Sequence, residues 1–231
     1  MFNWPKKSAQ PSSQEHFAGI RDTLFADDPL AHFVQVRPQA LAAEPWASFN
    51  RANLFIEAGD PQPAIEILRG IVEMPKLEPR FYLHAWNALR GLNVEPPPER
   101  AKELLGVVIE VGMPKGLDLV AAYPDHCARY YNFSGAAVIW ERPNDLLNDA
   151  IDRVLNVSLP VVRAIGPWKE ARPPAPSNGE VRVNFLTPIG LHFGQGPLTE
   201  LGRDRMAGPV IAAAFQLMQQ LIAQAKMQIN K

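Results

Sequence analysis

The runs Leu117-Asp118-Leu119-Val120-Ala121-Ala122-Tyr123, Cys127-Ala128-Arg129-Tyr130-Tyr131-Asn132-Phe133 and Ala136-Ala137-Val138-Ile139-Trp140 decide the fold class. The breaks between them, Pro124-Asp125-His126 and Ser134-Gly135, are short and made of turn-forming residues, which predicts consecutive antiparallel strands. A helix is expected next, over residues 144–165, with Asn144 as its cap, Ile151, Val154, Leu155 and Leu159 facing inward, and Pro160 as a kink or stop. The proline-rich stretch 172–179 reads as a stiff surface linker. Residues 180–186 and 191–193 read as two further strands that join the sheet. The closing stretch 206–225 carries no charge and has the length of a membrane span. At about 100° per residue, however, Gln216, Gln219, Gln220 and Gln224 gather on one side, opposite Val210, Ile211, Ala214, Phe215, Met218, Leu221, Ile222 and Ala225. An amphipathic helix packed on a core is therefore expected, and no membrane span.

Before this region the rhythm is helical. From Glu44 to Gly112, four segments of about a dozen residues alternate with breakers at Gly59-Asp60-Pro61, residues 75–79 and residues 95–98. Ala52, Phe55, Gly59-Asp60, Ala64, Leu68 and Pro75 fall near the small, aromatic, turn and terminating positions of the tetratricopeptide repeat, which this stretch resembles. Trp86, Ala88, Leu92 and Ala101 form a looser second unit. The 37 residues from Ala64 to Ala101 exceed the roughly 34 of that repeat, with Pro96-Pro97-Pro98 as the insertion. The resemblance implies stacked helical hairpins that present a surface to a protein partner. Upstream, Ser12 and Glu15 form a capping box for a short helix that buries Phe17, Ile20 and Leu24 and stops at Asp27-Asp28-Pro29. A short extended piece is expected over residues 32–36. The expected fold class is thus α+β: N-terminal antiparallel helical hairpins followed by a small, mostly antiparallel sheet packed with two helices. Its parts are residues 1–43 (tail and short helix), 44–115 (helical hairpins) and 116–231 (sheet and C-terminal helix).

Composition excludes several classes of function. With 231 residues the chain can bury a core without metal or disulfide staples. A net charge of −1, with Lys6-Lys7 the only adjacent basic pair, gives no electrostatic footprint for nucleic acid. Cys127 is the one cysteine and cannot form an internal disulfide, which suits a reducing compartment. Residues 1–7 carry no apolar run behind their charges, so no secretory signal is expected and the cytoplasm is the expected location.

Few residues carry the marks of chemistry. Residues 187–196 resemble the glycine pattern of short-chain dehydrogenases in spacing. Pro188 stands where that family has glycine, Pro197 follows the last glycine, and the remaining chain is too short for a dinucleotide-binding sheet. A hairpin or bulged turn in which Gly190, Gly194 and Gly196 supply positive φ is expected, and no cofactor. The histidines, His16, His32, His84, His126 and His192, lack the close spacing of a metal motif, so no metal site is expected. Cys127 is a nucleophile only if a base lowers its pKa. His126 points to the other side of a strand, and a small core residue is the plainer reading. Alternation puts Arg129, Tyr131 and Phe133 on one face and Tyr130 and Asn132 on the other. Trp46, Trp86, Trp140 and Trp168 read as core or seam residues.

Two functions compete on this reading. The leading one is a protein-interaction or scaffold module that uses the helical hairpins. The second is a small-molecule binding protein or enzyme with a pocket at the sheet, where Arg129, Tyr131 and His192 converge near Cys127: Arg to hold an anion, Tyr to orient it, His to move a proton. The turn-rich strings 124–126, 134–135 and 186–191 are similar to segments of uncharacterised bacterial proteins, a resemblance that implies no activity.

Overall fold

A computed structural model describes residues 13–35 and 42–229, with the side chains of 17–35 and 42–227. Ser12 of the expected capping box, the side chains of Glu15 and His16, and Val36 at the end of the expected extended piece lie outside the described side chains or residues.

The architecture is α+β, with a six-stranded antiparallel sheet between two helical layers. The first layer is made by α1 (Ser13–Phe25), α2 (Leu30–Gln35), α3 (Trp46–Glu57), α4 (Pro61–Glu73) and α5 (Pro79–Gly91). Proline opens α4 and α5, where its missing N–H costs nothing, and the short links between α3, α4 and α5 make successive helices neighbours. Residues 30–35 are helical, not extended: Phe33 and Val34 are buried, and Phe33 stacks against the His84 ring of α5 with centroids 3.6 Å apart.

The largest departure from expectation lies at residues 98–113. The fourth long helix is replaced by the single turn α6 (Pro98–Ala101), followed by the strand β1 (Gly106–Met113). The sheet therefore begins ten residues before the expected change of rhythm. β1 is central, covered on both faces, and a strand of that kind is a continuous apolar run that does not alternate. The expected strands follow as β2 (Gly116–Ala122), β3 (Ala128–Tyr131) and β4 (Ala137–Trp140). Next come α7 (Asn148–Ala164), the linker (residues 165–179), β5 (Glu180–Thr187), β6 (Gly190–Pro197), the turn α8 (Leu198–Leu201) and α9 (Ala207–Ile229). The strand order is β4-β3-β2-β1-β5-β6, so α7 and the linker carry the chain from one edge back to pair with β1. Asn144 does not cap α7, whose N-cap is Leu147, and Pro160 sits inside the helix without ending it.

Parity divides β1 and β5 between two cores. Val107, Ile109, Val111, Val181, Val183 and Phe185 face α7 and α9, with Ile151, Val154, Val210, Ala214, Leu217 and Leu221 opposite them. Gln216, Gln219 and Gln220 of α9 are exposed, as the amphipathic reading requires. No helix among the described residues is long and apolar enough to cross a membrane. The other face packs Val108, Leu119, Ala121 and Leu186 against Leu24, Phe49, Leu68, Leu83 and Leu89 of the first layer.

On this second face, beside β6, the core is charged. Glu110 is fully buried and lies directly across from Arg182 of β5. Arg21 of α1 donates through Nε to Glu110 Oε1 at 2.6 Å, Arg182 Nη1 to Oε2 at 3.3 Å and Asn184 Nδ2 to Oε2 at 3.2 Å. The linker caps the cluster: Pro173 O accepts from Arg21 at 3.0 Å and Arg182 at 3.2 Å, and Pro174 O from Arg182 at 2.7 Å. Removing one partner of a buried ion pair leaves the others uncompensated and costs about 3–5 kcal/mol. Glu110→Ala is therefore expected to lower the unfolding free energy by about that amount in urea titration. A midpoint and slope equal to those of the parent would show that the two arginines need no counter-charge.

Candidate functional site

Three of the residues singled out from sequence share one face of the sheet and the fourth does not. Arg129 pairs with Ala121 and Tyr131 with Leu119, so both point toward the first helical layer, as their alternation predicts. Cys127 packs on the same side. Arg129 is buried, and its charge is met by Glu141, with Nη2 2.7 Å from Oε1. His192 instead pairs with Phe185, which faces α7 and α9. It thus lies on the opposite face, four strand positions away, roughly 19 Å across the sheet at about 4.8 Å per strand. The expected convergence of Arg129, Tyr131 and His192 near Cys127 does not occur, because pairing register sets the face of His192 independently of β3.

Neither nucleophile nor base is poised at these positions. Burial first, then the neighbouring Asp125 and Glu141 carboxylates, push the Cys127 thiol up to about 12. Asp125 accepts from the Cys127 backbone N–H at 3.0 Å, and His126, in the turn with φ of 64°, is held by Asp152 at 2.9 Å and not by the thiol. His192 is fully buried, with Nδ1 3.4 Å from Gly190 O and Nε2 without a partner. Burial lowers its pKa, which keeps the ring neutral. A thiol near 12 is only about one part in ten thousand thiolate at pH 8, whereas a free cysteine near 8.5 is about a quarter thiolate. Reaction of Cys127 with a disulfide reagent at pH 8 should accordingly be at least about a hundredfold slower in the native protein than in the urea-unfolded chain. Equal rates would show an activated thiol.

A different place has the geometry of a binding site. Where the end of α5, the α1–α2 turn, the linker and the β5–β6 turn meet, they border a half-open cavity of about 720 Å³. Its walls include Phe25, Leu83, Leu186 and Leu191, which are apolar, and Asn87, Arg90, Trp168 and Arg172, which carry polar groups. Thr187-Pro188-Ile189-Gly190 forms the expected hairpin turn. Gly190 takes a φ of 131°, Thr187 Oγ1 donates to Gly190 O at 2.8 Å, and Gly194 and Gly196 lie in β6 without positive φ. The linker is fixed on this wall, since the Trp168 N–H donates to Leu191 O at 2.6 Å and the indole N–H to Ala171 O at 3.1 Å. Trp168 is 40% exposed at this seam, whereas Trp46, Trp86 and Trp140 are buried.

Arg90 and Arg172 differ in how their charge is met. Arg172 is saturated: it reaches Asp22 at 2.5 Å and Asp27 at 2.7 Å and stacks over the Phe25 ring at 4.6 Å. Among the described residues, Arg90 donates only to neutral acceptors, Pro188 O at 2.5 Å and Asn87 Oδ1 at 3.2 Å. Burial pulls its guanidinium down to about 10, and only the more distant Asp27 charge opposes that. An arginine near the last turn of a helix looks in sequence like a solvated residue complementing the helix dipole, so nothing in the order of residues marks Arg90 out. No group of three or more His, Cys, Asp or Glu among the described residues is arranged to hold a metal ion. Comparison with protein-family models, curated proteins and solved structures finds no match to the chain.

Proposed function

We propose that the protein binds a small organic anion in the cavity between α5, the linker and the β5–β6 turn. The observation that carries this reading is Arg90: a largely desolvated guanidinium, fixed in position by two neutral acceptors and lacking an ion-pair partner among the described residues, on the wall of an accessible cavity. Buried charges are ordinarily paired, and binding sites commonly combine an apolar lining with a few convergent polar groups. The cavity meets both conditions once an anion is supplied. The test is a thermal-shift screen of the whole chain against carboxylates and phosphate esters, because a ligand that binds only the folded state raises the melting temperature by mass action. At least one compound is expected to do so, with affinity reduced about 10- to 100-fold in Arg90→Ala through loss of a charge-assisted hydrogen bond. Equal shifts in parent and variant, or none in the parent, would remove the reading.

A protein-interaction role is the second reading, and what favours it is the outer side of α3. Leu54 and Phe55 are 56% and 37% exposed there, although the inner faces of the hairpins are spent against the sheet. A partner retained on the parent chain from cell extract should be lost from Leu54→Glu/Phe55→Glu. Retention by both would clear this surface.

A further inference from the structure

Resting on the anion site just described, we infer its chemical class: the ligand is a singly charged carboxylate with an apolar body, in preference to a phosphate ester or a dicarboxylate. Three observations point the same way.

The first is the charge of the walls. The ionisable lining residues are Asp27, Arg90, Glu95, Lys169, Glu170 and Arg172, three of each sign. Arg172 is held between Asp22 and Asp27, a group with one negative charge in excess, while Lys169, Glu95 and Glu170 are exposed to water. That leaves Arg90 as the desolvated cation in need of a counter-charge, and one negative charge completes it. A second negative charge on the ligand would sit among Asp27, Glu95 and Glu170 without a desolvated cation of its own, and like charges in a partly enclosed site repel.

The second is the supply of hydrogen-bond donors. A phosphate cradle is built from main-chain N–H groups turned toward the anion. The turn beside Arg90 offers few. Pro188 has no N–H and the Ile189 N–H is committed to Ala101 O at 3.1 Å. Arg90 itself has five N–H donors, of which Pro188 O and Asn87 Oδ1 occupy two. The three that remain match the two oxygens of a carboxylate, which a guanidinium grips as a planar fork. They fall short of the lone pairs of three phosphate oxygens.

The third is the apolar part of the lining. Trp168 is exposed and Leu191 half-buried there, and Phe25, Leu83 and Leu186 complete the same lining. This surface favours a hydrocarbon or aromatic body carried behind the carboxylate.

The test uses the full-length chain and four probes at constant ionic strength and pH 7.5, with binding followed by ligand-observed NMR: phenylacetate, hexanoate, phenyl phosphate and the uncharged 2-phenylethanol. Phenylacetate and hexanoate are expected to bind, with phenylacetate at least about tenfold tighter than phenyl phosphate and 2-phenylethanol. Arg90→Ala should abolish that preference. Because Arg90 also anchors the β5–β6 turn, Arg90→Gln, which retains a donor for Pro188 O, is measured beside it and should lose the same preference. Phenyl phosphate binding as tightly as phenylacetate, with both weakened in Arg90→Gln, would overturn the carboxylate assignment and leave an anion site standing. Failure of every anion to bind in an Arg90-dependent way would overturn both.

Discussion

The buried carboxylate of Glu110 is the constraint on which the arrangement of the layers depends. A lone ionised carboxylate at that depth is prohibitively unfavourable, so the elements supplying its partners must be present together: Arg21 from α1 and Arg182 from the neighbouring strand. Two arginines against one glutamate leave an excess of positive charge. Neutral oxygens take up the remaining donors, among them Pro173 O, Pro174 O and Gln195 Oε1. The cluster thus ties the first helix, the sheet and the linker at one point. A purely apolar patch there would bury comparable surface without specifying which loop covers it.

The linker suits that role for a chemical reason. Prolines at 173, 174 and 176 carry no N–H, so this stretch makes few hydrogen bonds of its own and its carbonyls are available to the arginines. Close approach to the sheet is allowed by Gly112, where an added Cβ would fall 1.9 Å from Ser177 O. Glycine there reflects contact between two backbones, since the position is not among those with positive φ. Pinned at residues 173–177, the linker can hold Arg172 against α1 and the turn after it and Trp168 against β6, and that placement walls the cavity beside the end of α5. The site is thus a consequence of how the layers are fastened, and its residues come from segments distant in sequence.

That origin explains what could be read beforehand. β2, β3 and β4 were legible because short strands divided by Pro124-Asp125-His126 and Ser134-Gly135 leave a strong local signal, and the parity of Arg129 and Tyr131 followed from it. α9 was legible because its glutamines mark its wet side. β1 was not: Leu104-Leu105-Gly106-Val107-Val108-Ile109 is apolar throughout, as both-face burial requires, and periodicity does not separate such a run from a buried helix. The placement of His192 needed the register of β5 with β6 and the position of both in the sheet, which are long-range facts. The β5–β6 turn is legible as a turn, but that it meets Arg90 at the edge of a cavity depends on α5 and the linker together.

Arginine usage across the molecule shows why Arg90 stands apart. Arg21, Arg80, Arg129, Arg172 and Arg182, all largely buried, each have a carboxylate within ion-pair distance. Among the described residues, those five desolvated guanidinium groups are met by acids, Arg21 and Arg182 sharing Glu110, and Arg90 is held by a carbonyl and an amide oxygen. Neutral acceptors fix the direction of a guanidinium without cancelling its charge, and a cation held that way keeps its attraction for an anion undiminished. Had Asn87 been an aspartate, the same geometry would have formed with the charge already spent. The amide at that position keeps the arginine oriented and electrostatically open toward the cavity.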